Sequence, residues 1–149
     1  KPEDLSVEVL FQNAVSGLQK KIEEKGIVVQ MDCNLQDITI SGDRKLIQIC
    51  FERLIDNSVK YSNPGTEVWV KITATGQEIT CEFIDQGRGF SSKILDNPFQ
   101  TFVNYSEHVD QNTGLNLLLI KYIMDVHRGR IELSNNPDKG ATVRIVFTC

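Results

Sequence analysis

Hydrophobic and polar residues follow two different periods along this chain, and the longer period predicts three helices. Between Leu5 and about Lys25, apolar side chains recur mostly every three to five residues, as on an amphipathic helix. A second apolar arc with helical spacing runs from Asp43 to about Tyr61. The third helix is expected from Gly114 to His127, where the sequence is almost continuously apolar.

Short runs of alternating or β-branched residues predict strands between and after these helices. The predicted strands are a pair at Ile27–Met31 and Ile38–Ile40, a hairpin of Glu67–Ile72 and Glu78–Asp85, and a final pair at Arg130–Ser134 and Ala141–Thr148. Residues 86–113 contain few periodic apolar positions and many loop-forming residues. Connections of this length are usually disordered or functional, and many are active-site lids.

Composition and charge narrow the function classes. With 149 residues and 40% hydrophobic side chains, the chain is expected to form one globular domain, residues 1–149. A formal charge of −4 argues against a nucleic-acid partner. No apolar run approaches the roughly 20 residues needed to cross a bilayer, so we expect a cytoplasmic domain without membrane contact. Four scattered cysteines without a Cys-x-x-Cys pair favour reduced thiols over a zinc or redox site.

Two polar features stand out from this pattern. Asn57 falls on the apolar arc of the second helix, and an unpaired amide there would cost roughly 1–3 kcal/mol, so a polar partner is expected. The segment Asp85-Gln86-Gly87-Arg88-Gly89 places a carboxylate and two glycines at a strand end. A carboxylate can accept hydrogen bonds from a ligand amine, and glycines allow close backbone approach. The same pattern also occurs in ordinary turns.

Several segments in order resemble the ATP-binding catalytic domain of sensor histidine kinases, within the superfamily of gyrase, the ninety-kilodalton heat-shock chaperone and mismatch-repair ATPases. Leu54–Ser62 resembles the asparagine box, Asp85–Gly89 the first glycine box, Asn97-Pro98-Phe99 the phenylalanine box, Thr113–Leu117 the second glycine box, and His127–Ser134 with Lys139–Val143 the usual ending. The resemblance covers nearly the whole chain. It implies an α/β (α+β) two-layer sandwich whose mixed, mainly antiparallel sheet is covered on one face by three helices, with residues 86–113 as an ATP lid.

The resemblance also implies ATP and Mg²⁺ as cofactors and gives residues at the purine end of the site. Asp85 matches the carboxylate that accepts a hydrogen bond from the adenine amine. Gly87 and Gly89 match glycines that admit the purine. Thr142 resembles a strand threonine that approaches adenine, although an ordinary strand threonine explains it equally well.

At the phosphate end, the resemblance implies that Asn57 gives its amide oxygen to Mg²⁺. Lys60 and Tyr61 follow within one helical turn and are expected to reach phosphate or ribose, although a helix-face lysine is often merely solvated. The backbone amides of Thr113, Gly114 and Leu115, at the predicted helix start, match a phosphate-binding segment.

Three residues depart from the family pattern. Arg53 stands where kinases usually carry asparagine and hydrolysing relatives carry glutamate. A guanidinium cannot take a proton from water, so hydrolysis through this position is disfavoured, while cationic assistance to phosphoryl transfer is not. Asn112 and Asn116 occupy usual glycine positions, and their side chains are expected to crowd the triphosphate.

The implied function is transfer of the ATP γ-phosphoryl group to a histidine on a separate dimerisation domain that this chain lacks. A response regulator is then a partner, and a homodimer would form only through the absent region. One alternative is a regulatory pseudokinase that binds nucleotide poorly and acts by docking. Another is a small ATPase or an anti-sigma-type serine kinase, which needs no histidine-bearing partner.

Overall fold

A computed structural model of the chain describes residues 2–96, 99 and 108–148, and for residues 108–115 it describes the backbone alone. The elements in order are β1 (Glu3–Ser6), α1 (Val7–Gly17), α2 (Gln19–Lys25), β2 (Val28–Cys33), β3 (Thr39–Gly42), α3 (Arg44–Tyr61), β4 (Glu67–Thr75), β5 (Glu78–Ile84), α4 (Ser92–Asp96), α5 (His108–Val126), β6 (Arg130–Asn135) and β7 (Ala141–Thr148).

The main sheet has five strands in the order β2-β4-β5-β7-β6, and β1 pairs with β3 in a separate two-stranded sheet. Strands β2 and β4 are parallel. The other pairs of the main sheet are antiparallel. The predicted mixed, mainly antiparallel sheet is therefore confirmed. In the β5–β7 register, Ile84 lies opposite Thr142, which brings the end of β5 beside the start of β7.

One face of this sheet is buried by helices and the other carries charged side chains. The rings of Phe51 on α3 and Phe83 on β5 meet edge to face at 5.5 Å between centroids, within the hydrophobic core. On the opposite face, Arg144 pairs with Glu82 at 2.8 Å and with Glu132 at 3.0 Å. Such exposed pairs add little stability, but they keep this face polar. The two-layer arrangement predicted from the sequence is confirmed.

The N-terminal prediction was partly wrong. In place of one helix from Leu5 to about Lys25, the structure has a strand and two helices. The Ser6 hydroxyl accepts a hydrogen bond from the Val9 amide and caps α1, so the helix begins after it. The strands predicted at Ile27–Met31 and Ile38–Ile40 also do not pair with each other: β2 joins the main sheet, and β3 pairs with β1.

The helix predicted from Gly114 begins six residues earlier, at His108. Residues 108–113 contain neither glycine nor proline, so no strong helix breaker separates them from the apolar segment. A short helix, α4, also lies within the segment predicted as a lid. Across the described residues, no helix is both long and apolar enough to span a bilayer.

Candidate nucleotide site

Asp85 follows the last residue of β5 and extends the pairing with β7. Its backbone amide donates to the Ala141 carbonyl at 2.9 Å. Its side-chain Oδ1 accepts from the Gly87 amide at 2.9 Å and from the Ala141 amide at 3.1 Å. Within residues 2–96 and 116–148, no hydrogen bond ends on Oδ2. The backbone thus fixes one carboxylate oxygen and leaves the other for a ligand donor.

Burial dominates the electrostatics of this carboxylate. Asp85 is only 8% exposed. Desolvation raises the pKa of Asp85 above its ordinary value, while the hydrogen bonds from Gly87 and Ala141 partly oppose the rise. A carboxylate held in this way is stabilised by an additional hydrogen-bond donor, such as an exocyclic amine.

The glycines around Asp85 are needed for contacts within the chain. A Cβ on Gly87 would lie 2.0 Å from the Tyr61 carbonyl oxygen, and one on Gly140 would lie 2.0 Å from the Asp85 carbonyl oxygen. Gly89 has a φ of +82°, and a Cβ there would lie 2.8 Å from Asn135 Oδ1. The close approach of the Tyr61 backbone therefore explains why position 87 is a glycine. Close approach of a purine to these glycines stays a prediction.

Asn136, which has no predicted role in the sequence, connects the predicted residues. Its Nδ2 donates to the Asp85 carbonyl at 3.0 Å and to the Lys139 carbonyl at 3.1 Å. Its Oδ1 accepts from the Thr142 hydroxyl at 2.5 Å. The structure thus brings Thr142, itself 8% exposed, close to Asp85. We call Asp85, Gly87, Asn136, Ala141 and Thr142 the Asp85 cluster.

Tyr61 is the last residue of α3 and lies beside this cluster. A backbone bridge joins its neighbour Ser62 to Gly87. The Tyr61 ring has Lys60 Nζ and Arg88 Cζ each 5.4 Å from its centroid. Lys60 and Tyr61 thus stand next to the Asp85 cluster, and a cationic surface borders it.

Asn57 lies one turn before Tyr61, about 6 Å along the axis of α3, and has the polar partner that the sequence predicted. Its Oδ1 accepts from Asn116 Nδ2 at 3.0 Å. Asn116 Oδ1 in turn accepts from Arg53 Nη1 at 2.9 Å. These three residues, Arg53, Asn57 and Asn116, form the Asn57 cluster. Asn116 was predicted only to crowd the site, and a pairing of residues 59 positions apart has no local signal.

Thr113, Gly114 and Leu115 lie inside α5, not at its start. Amides in a helix interior bond to carbonyls four residues earlier, so in this structure these amides do not form a helix N-terminus. Their role with phosphate stays a prediction. The Asn112 side chain, Asn97 and Pro98 lie outside the described residues. Phe99 packs against the core, with Lys121 Nζ 5.8 Å from its ring centroid.

A metal at this site would have few protein ligands. The described residues contain no group of three or more histidine, cysteine, aspartate or glutamate side chains that would hold an ion. Mg²⁺ commonly uses one or two protein ligands and takes its others from phosphate and water. An amide oxygen has two lone pairs, and within the described residues only Asn116 donates to Asn57 Oδ1, so one lone pair is left there for a metal. The residues present therefore fit Mg²⁺ with Asn57 as a single ligand that is already partly engaged by Asn116.

Similar proteins bear out the fold. Three similar solved structures are the catalytic domain of the histidine kinase ThkA (TM-score 0.87, 16% identity, covering 99% of this chain and 97% of that one), the mycobacterial sensor histidine kinase MprB (0.82, 19%, 99% and 96%) and the histidine kinase AdeS of Acinetobacter baumannii (0.78, 20%, 99% and 67%). At these identities the likeness concerns the fold alone.

Sequence relatives give the family. The heme sensor protein HssS of Staphylococcus saprophyticus is 30% identical over 145 residues, which are 97% of this chain and 31% of that protein. The sensor protein KdpD of Clostridium acetobutylicum is 30% identical over 138 residues, 91% of this chain and 15% of that protein. The chain thus spans a third or less of these relatives. Residues 42–149 match the family described as histidine kinase-, DNA gyrase B- and HSP90-like ATPases. The chain belongs to that family, which confirms the predicted resemblance and implies ATP binding.

Proposed function

We propose that this domain binds Mg-ATP beside Asp85 and Asn57 and positions its γ-phosphoryl group for transfer to a histidine on a separate dimerisation domain of the same protein. The observation that carries the proposal is the Asp85 carboxylate, which is buried and held at Oδ1 by two backbone amides. Oδ2 is then the acceptor for the adenine amine. Thr142, fixed through Asn136, would approach the same purine.

The remaining residues act on the phosphates. Asn57 Oδ1 would hold Mg²⁺, which would supply charge neutralisation to the phosphates. Lys60 and Arg53 supply further positive charge to the leaving group. In the transfer, an imidazole nitrogen forms a bond to the γ-phosphorus, the bond to the β–γ bridging oxygen breaks, and ADP leaves. The histidine is itself the nucleophile, so no general base is required from this domain.

The parent protein would then work with a response regulator, and this domain would lie in the cytoplasm. Sensor proteins are among the relatives, which supports a role of the parent protein in signalling. Dimerisation is assigned to the histidine-bearing domain.

Asp85→Asn tests the purine contact. The asparagine Oδ1 can still accept from Gly87 and Ala141, but the acceptor at Oδ2 becomes an N–H donor that faces the donor of adenine. We expect affinity for a fluorescent ATP analogue to fall at least about thirtyfold. The matched control is Glu82→Gln, which neutralises a carboxylate of β5 that pairs with Arg144 on the polar face. Equal affinity of Asp85→Asn and wild type would refute the proposed site.

Phosphotransfer is tested on the full-length parent protein with ATP labelled at the γ-phosphate. An acid-labile, base-stable label that disappears when the acceptor histidine is replaced supports the proposed reaction. An acid-stable label, or free phosphate without protein labelling, would support a serine kinase or an ATPase instead.

A second function is a regulatory module that binds nucleotide poorly and acts by docking. The contact of Arg53 with Asn116, which places two side chains beside the proposed metal ligand, favours it. Absence of analogue binding by the folded wild-type domain, with and without Mg²⁺, would favour this alternative.

A further inference from the structure

The Asn57 cluster is a directed chain of hydrogen bonds that begins at a cation. Arg53 Nη1 donates to Asn116 Oδ1 at 2.9 Å, and Asn116 Nδ2 donates to Asn57 Oδ1 at 3.0 Å. A guanidinium can only donate, so it requires the oxygen of the Asn116 amide on its own side. The amino group of Asn116 must then face Asn57. The charge on Arg53 therefore sets the orientation of both amides.

This orientation weakens Asn57 as a metal ligand. Its Oδ1 is already engaged by the amino group of Asn116, which competes with a metal for the electron density of that oxygen. The cation that orients Asn116 is Arg53, and only the Asn116 side chain separates it from Asn57 in the chain of hydrogen bonds. A guanidinium keeps its charge at any physiological pH. A divalent cation on Asn57 would thus approach both a hydrogen-bond donor and a fixed positive charge.

The same features favour an anion. Among the residues that the structure describes, Arg53 forms no ion pair, so no carboxylate there neutralises it. Its side chain is exposed, and its contact with Asn116 uses one of five N–H donors arranged in a planar fork. Such a fork binds phosphate oxygens in pairs. Asn116 holds the guanidinium next to Asn57, which reduces the side-chain entropy lost when phosphate binds.

We infer that Arg53, held by Asn116, is a built-in cation of the phosphate site, so that this domain binds nucleoside triphosphate with little dependence on Mg²⁺. The inference rests on the proposed function, because it assumes that the phosphates lie at the Asn57 cluster. Arg53 and Asn116 then act as one unit. Each alone departs from the family pattern, but together they replace part of the charge that the metal would supply.

The test measures affinity of the isolated domain for a fluorescent ATP analogue, in Mg²⁺ and in a chelator. For the wild-type protein, we expect removal of Mg²⁺ to weaken binding less than about fivefold. For a variant carrying Arg53→Asn and Asn116→Gly, we expect removal of Mg²⁺ to weaken binding by more than about fiftyfold. In this variant the Asn57 oxygen is released from Asn116, and the fixed cation is gone. In the chelator, this variant should also bind more weakly than wild type.

Arg44→Asn is the matched control, because it removes an arginine from the same helix about 14 Å along the axis from Arg53. Arg44 pairs with Glu3, away from the Asn57 cluster. The Arg44→Asn variant should show the same Mg²⁺ dependence of analogue affinity as the wild type. Circular dichroism and melting curves verify that each variant is folded, which the exposed position of Arg53 favours.

The outcomes separate the two proposals. Equal Mg²⁺ dependence of wild type and the Arg53→Asn, Asn116→Gly variant, with binding abolished by Asp85→Asn, would overturn the built-in cation and leave the proposed function standing. Analogue binding that persists in Asp85→Asn would contradict the purine site. Absence of binding by every folded variant in both buffers would overturn both proposals.

Discussion

The two clusters of the candidate site are built in different ways. The Asp85 cluster is held mainly by backbone groups: amides of Gly87 and Ala141 fix the carboxylate, and Asn136 is bonded to two carbonyls. Among the described residues, the Asn57 cluster is held by side-chain bonds, from Arg53 to Asn116 and from Asn116 to Asn57. Backbone contacts are part of the fold and are costly to change, whereas side-chain contacts can be exchanged without altering the sheet.

Two of the three departures from the family pattern lie in the Asn57 cluster, and the third, Asn112, has a side chain outside the described residues. Arg53 and Asn116 both belong to the side-chain cluster, while Asp85 and its glycines match the pattern. In the proposed site, the contacts to phosphate and metal could therefore change while the contacts to the purine are preserved. The predictions below test whether the two clusters differ in this way.

The largest effect is expected from Gly140→Ala. The new Cβ would lie 2.0 Å from the Asp85 carbonyl oxygen, at a φ of +91°. We expect the free energy of unfolding to fall by about 3 kcal/mol or more, measured by urea denaturation. The control is Gly17→Ala, at the end of α1, where a Cβ meets nothing within 4 Å. That variant should be as stable as wild type or up to about 1 kcal/mol more stable. Equal stability of the two variants would contradict the crowding at Gly140.

A smaller difference is expected between two asparagines. Asn136→Ala removes bonds to the Asp85 and Lys139 carbonyls and to the Thr142 hydroxyl, so we expect a loss of about 2 kcal/mol in unfolding free energy. Asn116→Ala removes bonds between partly exposed side chains and should cost about 0.5 kcal/mol. Thermal or urea unfolding of both variants measures the difference. A larger cost for Asn116→Ala would reverse our comparison of the clusters.

The smallest expected effect is a pH dependence of stability at Asp85. Its pKa in the folded protein is raised above the 3.8 of an unperturbed aspartate, chiefly by burial. The folded state therefore binds the proton more tightly than the unfolded state, and this contribution to stability decreases as pH rises through the window between the two values. Above that window the charged carboxylate carries the full cost of burial.

Asp85→Asn cannot titrate, so its stability relative to wild type should improve as pH rises through the range between the ordinary aspartate pKa and the raised pKa of Asp85. Urea denaturation at a series of pH values measures this difference. Glu82→Gln, on the polar face, serves as the control. A relative stability of Asp85→Asn that worsens over this range would mean that the carboxylate is stabilised in its charged form.

Local sequence patterns were sufficient for some of these features and not for others. The apolar arc of α3 and the alternation in β5 were readable because neighbouring residues alone determine them. The position of the Asn57 amide on the apolar arc of α3 correctly predicted a polar partner. Its identity depended on how α3 and α5 pack, which no local period encodes. For the same reason, β2 and β3 were predicted as strands but assigned the wrong partners.

The two hydrogen bonds between residues 85 and 141 give the site a spectroscopic reporter. The Ala141 amide donates to the Asp85 carboxylate, while the Asp85 amide donates to the Ala141 carbonyl. One backbone amide beside the β5–β7 pairing therefore bonds directly to the carboxylate that is proposed to hold the ligand. Anything that draws electron density from this carboxylate weakens the bond from Ala141. Amide hydrogen exchange or the amide proton chemical shift at this single residue would register occupancy without a label on the ligand.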